Sequence, residues 1–345
     1  MTDPVDHALD RILYSPKAEI PADAPHHPNK LVPVPWPLDI TPSYETYPFG
    51  DSSQPLPKVD AVIVTWTVAE WQALTDVLCG TVLAGGAKDT DYAHNFDSYR
   101  ADLTHKSPAA SARCLARVRL IGLNGVKNIL LVHMMLHVAT DGPNLPLRRL
   151  FGQIIDETDC ERIITTGTGG GIGPAVQLGD VIVGDRCHFN CQKQFADAPF
   201  AHDSYSPNLV LMPPPEIDTP ALVAANLGQL DSQRNPGSAW ELQVGTIETT
   251  DFFAADFSDD HYGLRAYDPM ALMVEMDDAV LGLCIADRMA AAKPCPQWAA
   301  VRNVSDPVGG PYSEAEARRL AEIYEKFGYW TSVPSVIVSY LMAIA

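Results

Sequence analysis

Positive charge is scarce in this 345-residue chain: 24 Lys and Arg stand against 43 Asp and Glu, for a net charge of −19. A surface so acidic repels phosphate backbones and anionic headgroups, which argues against nucleic acid and membrane surfaces as partners. No basic patch offsets it; the densest basic pair away from the C-terminal segment is Arg148 and Arg149. Long apolar runs are missing as well, since stretches such as Ile129 to Leu136 have the length of a strand and not of a membrane span. The opening MTDPVDHALDRILYSP lacks the basic flank and apolar centre of a secretion signal. The seven cysteines are odd in number and scattered, so reduced thiols in a cytoplasmic protein are expected. Cys187, His188 and Cys191 have no second pair at ligand spacing, and no metal is expected. Neither a GxSxG elbow, an HExxH pair nor a P-loop is present. Apolar residues themselves are not scarce: at 46% they exclude a disordered chain and suffice for a large core.

Prolines crowd residues 1–57, which excludes long helices and central strands there. This stretch reads as an arm laid over a folded body, anchored by Trp36, Tyr44, Tyr47 and Phe49, with one short helix in DHALDRILYS. Residues 58–345 read as a single catalytic-type domain in which strands and helices alternate. VDAVIVTW, RVRLIGL, NILLVHMML, ERIITTGT, GDVIVGDRCHF, ELQVGTIETT and QWAAVRNVSDPV are strand-like. AEWQALTDVL and LPLRRLFGQIIDET have helical spacing, and ALMVEMDDAVLGLCIADRMA begins extended and becomes helical. SEAEARRLAEIYEKF, with a capping box at Ser313 and Glu316, and the last apolar segment read as two helices. Residues 192–240 read as a polar, irregular excursion. The pattern predicts an α/β fold with a mixed, mostly parallel central sheet flanked by helices, and sites at the carboxyl ends of its strands.

Four segments carry candidate chemistry. TTGTGGGIG, residues 165–173, follows a strand, and a glycine turn there either lets a ligand approach the backbone or merely permits a tight crossover. It fails as a dinucleotide fingerprint because Ile172 holds the third glycine position. Glu70, just after the first strand, is either a site carboxylate or an acid at a helix N-terminus. In VEMDDAV, Glu275, Asp277 and Asp278 suit either a sugar diol or helix capping. In RNVSDPV, a strand delivers Ser305 and Asp306 to its end before Pro307, and Asp306 is either an acid with a raised pKa or part of an Asp-Pro turn. His133 and His137 read as satisfied core or surface histidines.

Taken in order, these segments resemble the nucleoside phosphorylase and nucleosidase superfamily, and most of all its methylthioadenosine/S-adenosylhomocysteine nucleosidase branch. The likeness spans about residues 59–345. It implies a twisted sheet partly closed into a barrel, and cleavage of the N-glycosidic bond of a purine nucleoside or a 5′-modified derivative. By that resemblance Asp306 protonates the leaving base at N7 and Glu70 activates water. Thr168, Gly169 and Gly170 line the base and ribose, with Ser305 beside them. Met276 packs on the ribose, Asp277 binds its hydroxyls, and Phe252 and Phe253 occupy the region that stacks the base. The resemblance further implies a homo-oligomer, a dimer or larger, and no cofactor.

Two departures from the family pattern stand out. The ribose-binding residue is usually Glu, and here it is Asp277, so either the sugar sits differently or Glu275 takes part. The phosphorylases carry a phosphate-binding Arg two residues before the glycine turn, where this chain has Thr165. That loss favours water over phosphate as the nucleophile. A phosphate-dependent phosphorylase and a non-catalytic nucleoside sensor are the alternative expectations.

Overall fold

The computed structural model describes residues 31–45, 54–79, 97–99, 116–138, 144–209, 216–252, 268, 270–308 and 314–345. The chain forms strands β1 (Ser43–Tyr44), β2 (Ala61–Thr65), β3 (Asp97–Tyr99), β4 (Ala116–Leu123), β5 (Lys127–Met134), β6 (Arg162–Ile172), β7 (Val181–Asn190), β8 (Ser204–Tyr205), β9 (Leu242–Thr250), β10 (Ala271–Glu275) and β11 (Gln297–Val308). The helices are α1 (Val68–Cys79), α2 (Pro146–Thr158), α3 (Thr219–Leu227), α4 (Asp278–Ala290) and α5 (Glu314–Ile344).

The strands form one sheet in the order β1-β4-β5-β2-β6-β10-β9-β7-β11. β11 then returns to β6, so that β6, β10, β9, β7 and β11 close a ring. The length of β6 makes this possible. Its start pairs in parallel with β2, from Arg162 to Thr165, and its end pairs antiparallel with β10 at Gly170 and Gly171. Its other edge carries β11 throughout. Between Thr165 and Gly170, one edge of β6 therefore has no strand partner among the described residues, and the candidate site lies at this gap.

Side-chain alternation along β2 feeds two cores, as expected for a strand buried on both faces. Val62 and Val64 join a core with Phe151, Ile154 and Leu281 from α2 and α4, whereas Ala61 and Ile63 join one with Trp71, Leu74, Val333 and Ile337 from α1 and α5. In α2, buried Leu147, Leu150, Phe151 and Ile154 repeat at helical spacing, Pro146 stands in the first turn, and Asp159 ends the helix in a left-handed conformation with φ 51°.

Three sequence expectations are corrected. The glycine run is not a turn but the second half of β6, because flanking strands supply its hydrogen bonds. The strand carrying Asp306 does not end there; β11 continues through Pro307 to Val308 against the end of β6. The C-terminal segment is one helix, which passes through Pro334 without ending. Within it Glu322–Ile344, at a mean hydropathy of 1.3, is long and apolar enough to cross a membrane. It lies instead in the protein core, with Tyr329, Val333, Ile337 and Tyr340 buried. The Ser313 capping box falls outside the described residues.

The excursion at 192–240 contains β8, α3 and a 3-10 turn at Gly228–Gln233. The Asn226 side chain of α3 binds the backbone of Val32 through both its oxygen and its nitrogen, each at 2.9 Å. Trp36 stands edge-on to Tyr340, with ring centroids 5.1 Å apart. β1 and β3 both pair with the outer edge of β4.

Candidate active site

Glu70 lies in the first turn of α1, but its carboxylate is turned back into the gap on β6. Oε2 accepts from Thr65 Oγ1, Trp66 N and Thr67 N, all at 2.9 Å. Oε1 accepts from Thr168 N at 2.7 Å and Thr168 Oγ1 at 2.5 Å. The carboxylate thus satisfies the Thr168 amide left open in the sheet. A side chain at position 167 would prevent this, since a Cβ on Gly167 would fall 2.6 Å from the Glu70 carboxyl carbon. Burial pushes the Glu70 pKa up, but the Arg302 charge and the Thr168 and Thr67 hydrogen bonds outweigh it and hold the group below its ordinary value.

Arg302, on β11, was not singled out from the sequence. It donates from Nε to Asp278 Oδ2 at 2.8 Å and from Nη2 to Asp278 Oδ1 at 2.5 Å. Nη2 also lies 3.0 Å from Glu275 Oε2, and Nη1 lies 3.4 Å from the Thr168 carbonyl. Its guanidinium carbon sits 4.8 Å from the centre of a Trp66 ring. Glu275 takes the amides of Asp277 and Asp278 as well as the Thr249 hydroxyl, so it caps α4. Burial and the neighbouring Asp278 carboxylate push its pKa to about 8.

Asp277 is buried with both oxygens engaged: Oδ2 lies 2.7 Å from His137 Nδ1, and Oδ1 accepts from Val138 N at 3.1 Å. His137 is therefore a buried histidine with a partner, as the sequence reading expected, and that partner is the Asp277 carboxylate. His133 does behave as a core residue: it stacks on Trp71 at 4.2 Å, and burial lowers its pKa to about 3.

Asp306 owes its position to a bulge. Val304 pairs with Gly169 and Asp306 with Gly170, leaving Ser305 as the extra residue. Ser305 Oγ lies 2.5 Å from Asp306 Oδ1 and 3.3 Å from the Gly169 carbonyl. Burial raises the Asp306 pKa, opposed only in part by the Ser305 hydrogen bond and the Arg319 charge. Tyr324 of α5 reaches the same place. Its hydroxyl bonds Thr67 Oγ1, and burial and the charges of Glu70 and Asp306 push its pKa up.

Val274 and Asp306 flank Gly170 on opposite edges of β6. Phe252 is buried in a small cluster with Ile172, Ala271 and Val274. Asp251 places it by accepting the amides of Gln192, Lys193 and Phe195. Met276 is half-buried at the end of β10, and Phe253 lies outside the described residues. Glu70, Thr168, Glu275, Ser305 and Asp306 thus converge with Arg302 and Tyr324 around the β6 gap, and Asp277 joins them through the turn into α4. Thr165 is fully buried in the sheet, with Oγ1 3.3 Å from the Ala299 carbonyl.

The family model of the phosphorylase superfamily matches residues 88–327. The chain belongs to the phosphorylase superfamily. A search of curated proteins finds no match. Among solved structures, this superfamily member is similar to a futalosine hydrolase mutant of Helicobacter pylori strain 26695, at 12% identity and a TM-score of 0.50 over 83% of this chain and 98% of that one. It is also similar to the 5′-methylthioadenosine/S-adenosylhomocysteine nucleosidase of Neisseria meningitidis, at 15% identity and a TM-score of 0.48 over 82% and 97%. The corresponding enzyme of Colwellia psychrerythraea 34H, in complex with adenine, gives 16% and 0.49 over 84% and 96%. At these identities the likeness is one of fold: the mixed, partly closed sheet flanked by helices is the architecture of the phosphorylase superfamily.

Proposed function

We propose that this member of the phosphorylase superfamily is a nucleosidase, which hydrolyses the N-glycosidic bond of a purine nucleoside or a 5′-modified purine nucleoside. The observation that carries the reading is the opposed state of two carboxyls in one site. Burial raises the pKa of Asp306 and so favours the form that can give a proton, whereas the Arg302 charge and the converging donors lower that of Glu70 and favour its ionised form.

Departure of a purine leaves positive charge on the ribose and negative charge on the base. Asp306 transfers its proton to the departing base, so that the base leaves neutral. The ionised Glu70 stabilises the sugar cation, orients a water toward it and takes the proton that the water releases as the new C–O bond forms. General acid and base assistance are each worth about 10²–10⁴-fold. Asp277 in this reading fixes His137, and the pair meets the ribose hydroxyls. Phe252 supplies an apolar wall for the base. Thr165, in place of a phosphate-binding Arg, supports water as the nucleophile.

The test is a free-base release assay with adenosine, inosine, guanosine, methylthioadenosine, S-adenosylhomocysteine and AMP, each with and without phosphate. Release of base without phosphate is expected for at least one purine nucleoside. Strict phosphate dependence would make the protein a phosphorylase, and binding without release a sensor.

A further inference from the structure

The sequence reading left Asp278 as one of three crowded acids, and neither capping nor the proposed chemistry accounts for it. Its backbone amide is already accepted by Glu275, which does the capping of α4. Its side chain is fully buried and grips Arg302 through both oxygens, at 2.8 and 2.5 Å. The Nε and Nη2 edge of a guanidinium is the edge that would clamp a phosphate with two parallel hydrogen bonds. Here that edge is spent on Asp278, Glu275 takes a further contact of Nη2, and Trp66 covers one face. Arg302 is also within electrostatic range of Glu70. The charges of Asp278 and Glu70 thus outnumber that of one guanidinium in a buried site, where their field repels an incoming anion and favours a cation.

We propose that Asp278 is a specificity-determining residue, which sequesters Arg302 and so bars anionic nucleophiles such as phosphate from the site. The proposal rests on the nucleosidase reading and explains how a site holding a buried arginine selects water. The same excess of carboxylate favours the ribosyl cation, so one arrangement serves both selection and rate.

Asp278→Asn keeps the shape and removes the charge. Wild-type protein and the variant are compared for thermal protection and for base release in sodium phosphate, sodium sulfate and sodium chloride at matched ionic strength. Phosphate and sulfate stabilise any protein over chloride without saturating, by exclusion from its surface, and wild type is expected to show only that linear rise. Asp278→Asn is expected to add a saturable protection by phosphate and sulfate, and to bind them at least about tenfold more tightly than wild type. Equal responses of variant and wild type would overturn the proposal. So would saturable protection of wild type by sulfate or phosphate, a measurement that stands even if Asp278→Asn does not fold. Phosphate-independent release together with either of those results overturns the role of Asp278 and leaves the nucleosidase reading in place. Absence of base release from every substrate, with the expected gain of anion binding by the variant, supports the role of Asp278 while the nucleosidase reading fails.

Discussion

The two ends of the site handle a buried carboxyl in opposite ways. At Glu70 five donors from β2, the β2–α1 turn and β6 converge on one carboxylate, and a neighbouring guanidinium adds its charge. At Asp306 one serine hydroxyl is the hydrogen-bond partner among the described residues, the Arg319 charge adds to it, and burial still prevails. Both groups are buried, so burial alone does not decide the direction of the shift; the charges and donors around each group do. The backbone explains the contrast. Glu70 enters where β6 has no strand partner and open amides are available, whereas Asp306 sits within a paired stretch whose amides are already used, displaced only by the bulge at Ser305.

The largest break in this contrast is Asp306→Asn, which removes the acid while keeping its shape. Base release should fall by about 10²–10⁴-fold. Because a raised pKa in the folded state costs stability above the unfolded value, the variant should melt at the same or a higher temperature at neutral pH, an advantage that disappears as pH falls below the ordinary aspartate range. Activity with full retention of rate would remove Asp306 from the mechanism. Gly167→Ala attacks the other end. Its Cβ would meet the Glu70 carboxyl and displace it, with a loss in kcat of about 10²-fold, as for a misplacement near 1 Å, read by steady-state kinetics. The mildest change sharpens the contrast. Ser305→Ala removes the hydrogen bond that lowers the Asp306 pKa, so the basic limb of the pH–rate profile, where the acid loses its proton, should move to higher pH. An unmoved or lowered limb would show that another group sets it.

The sequence made strands legible where β-branched runs were continuous, as in Ala61–Thr65, and helices where apolar spacing was regular, as in Pro146–Thr158. Glu70, Thr168 and Asp306 were legible as candidates through their order along the chain. The glycine run was misread because glycine locally signals a turn, whereas here its lack of a side chain admits Glu70 to a strand. Arg302 and Tyr324 escaped notice, and the partner of His137 was not legible, because the pairs are far apart in sequence: Asp278 is 24 residues from Arg302, Asp277 is 140 from His137, and Thr67 is 257 from Tyr324. No local pattern marks such pairs. Crowded acids at 275–278 looked alike in sequence, and only the fold separates a cap, a histidine holder and an arginine lock.

The strand pairing of the N-terminal stretch bears on how the chain avoids its own neighbours. Ser43 and Tyr44 occupy one end of the outer edge of β4, and β3 occupies the other. An uncovered row of amides and carbonyls there would template the addition of a strand from another molecule. Pro42 stands immediately before the short β1 and has no amide with which to extend its ladder. The stretch is a stopper: it occupies an open margin of the sheet with a strand of two residues, too short to offer a further chain much to join.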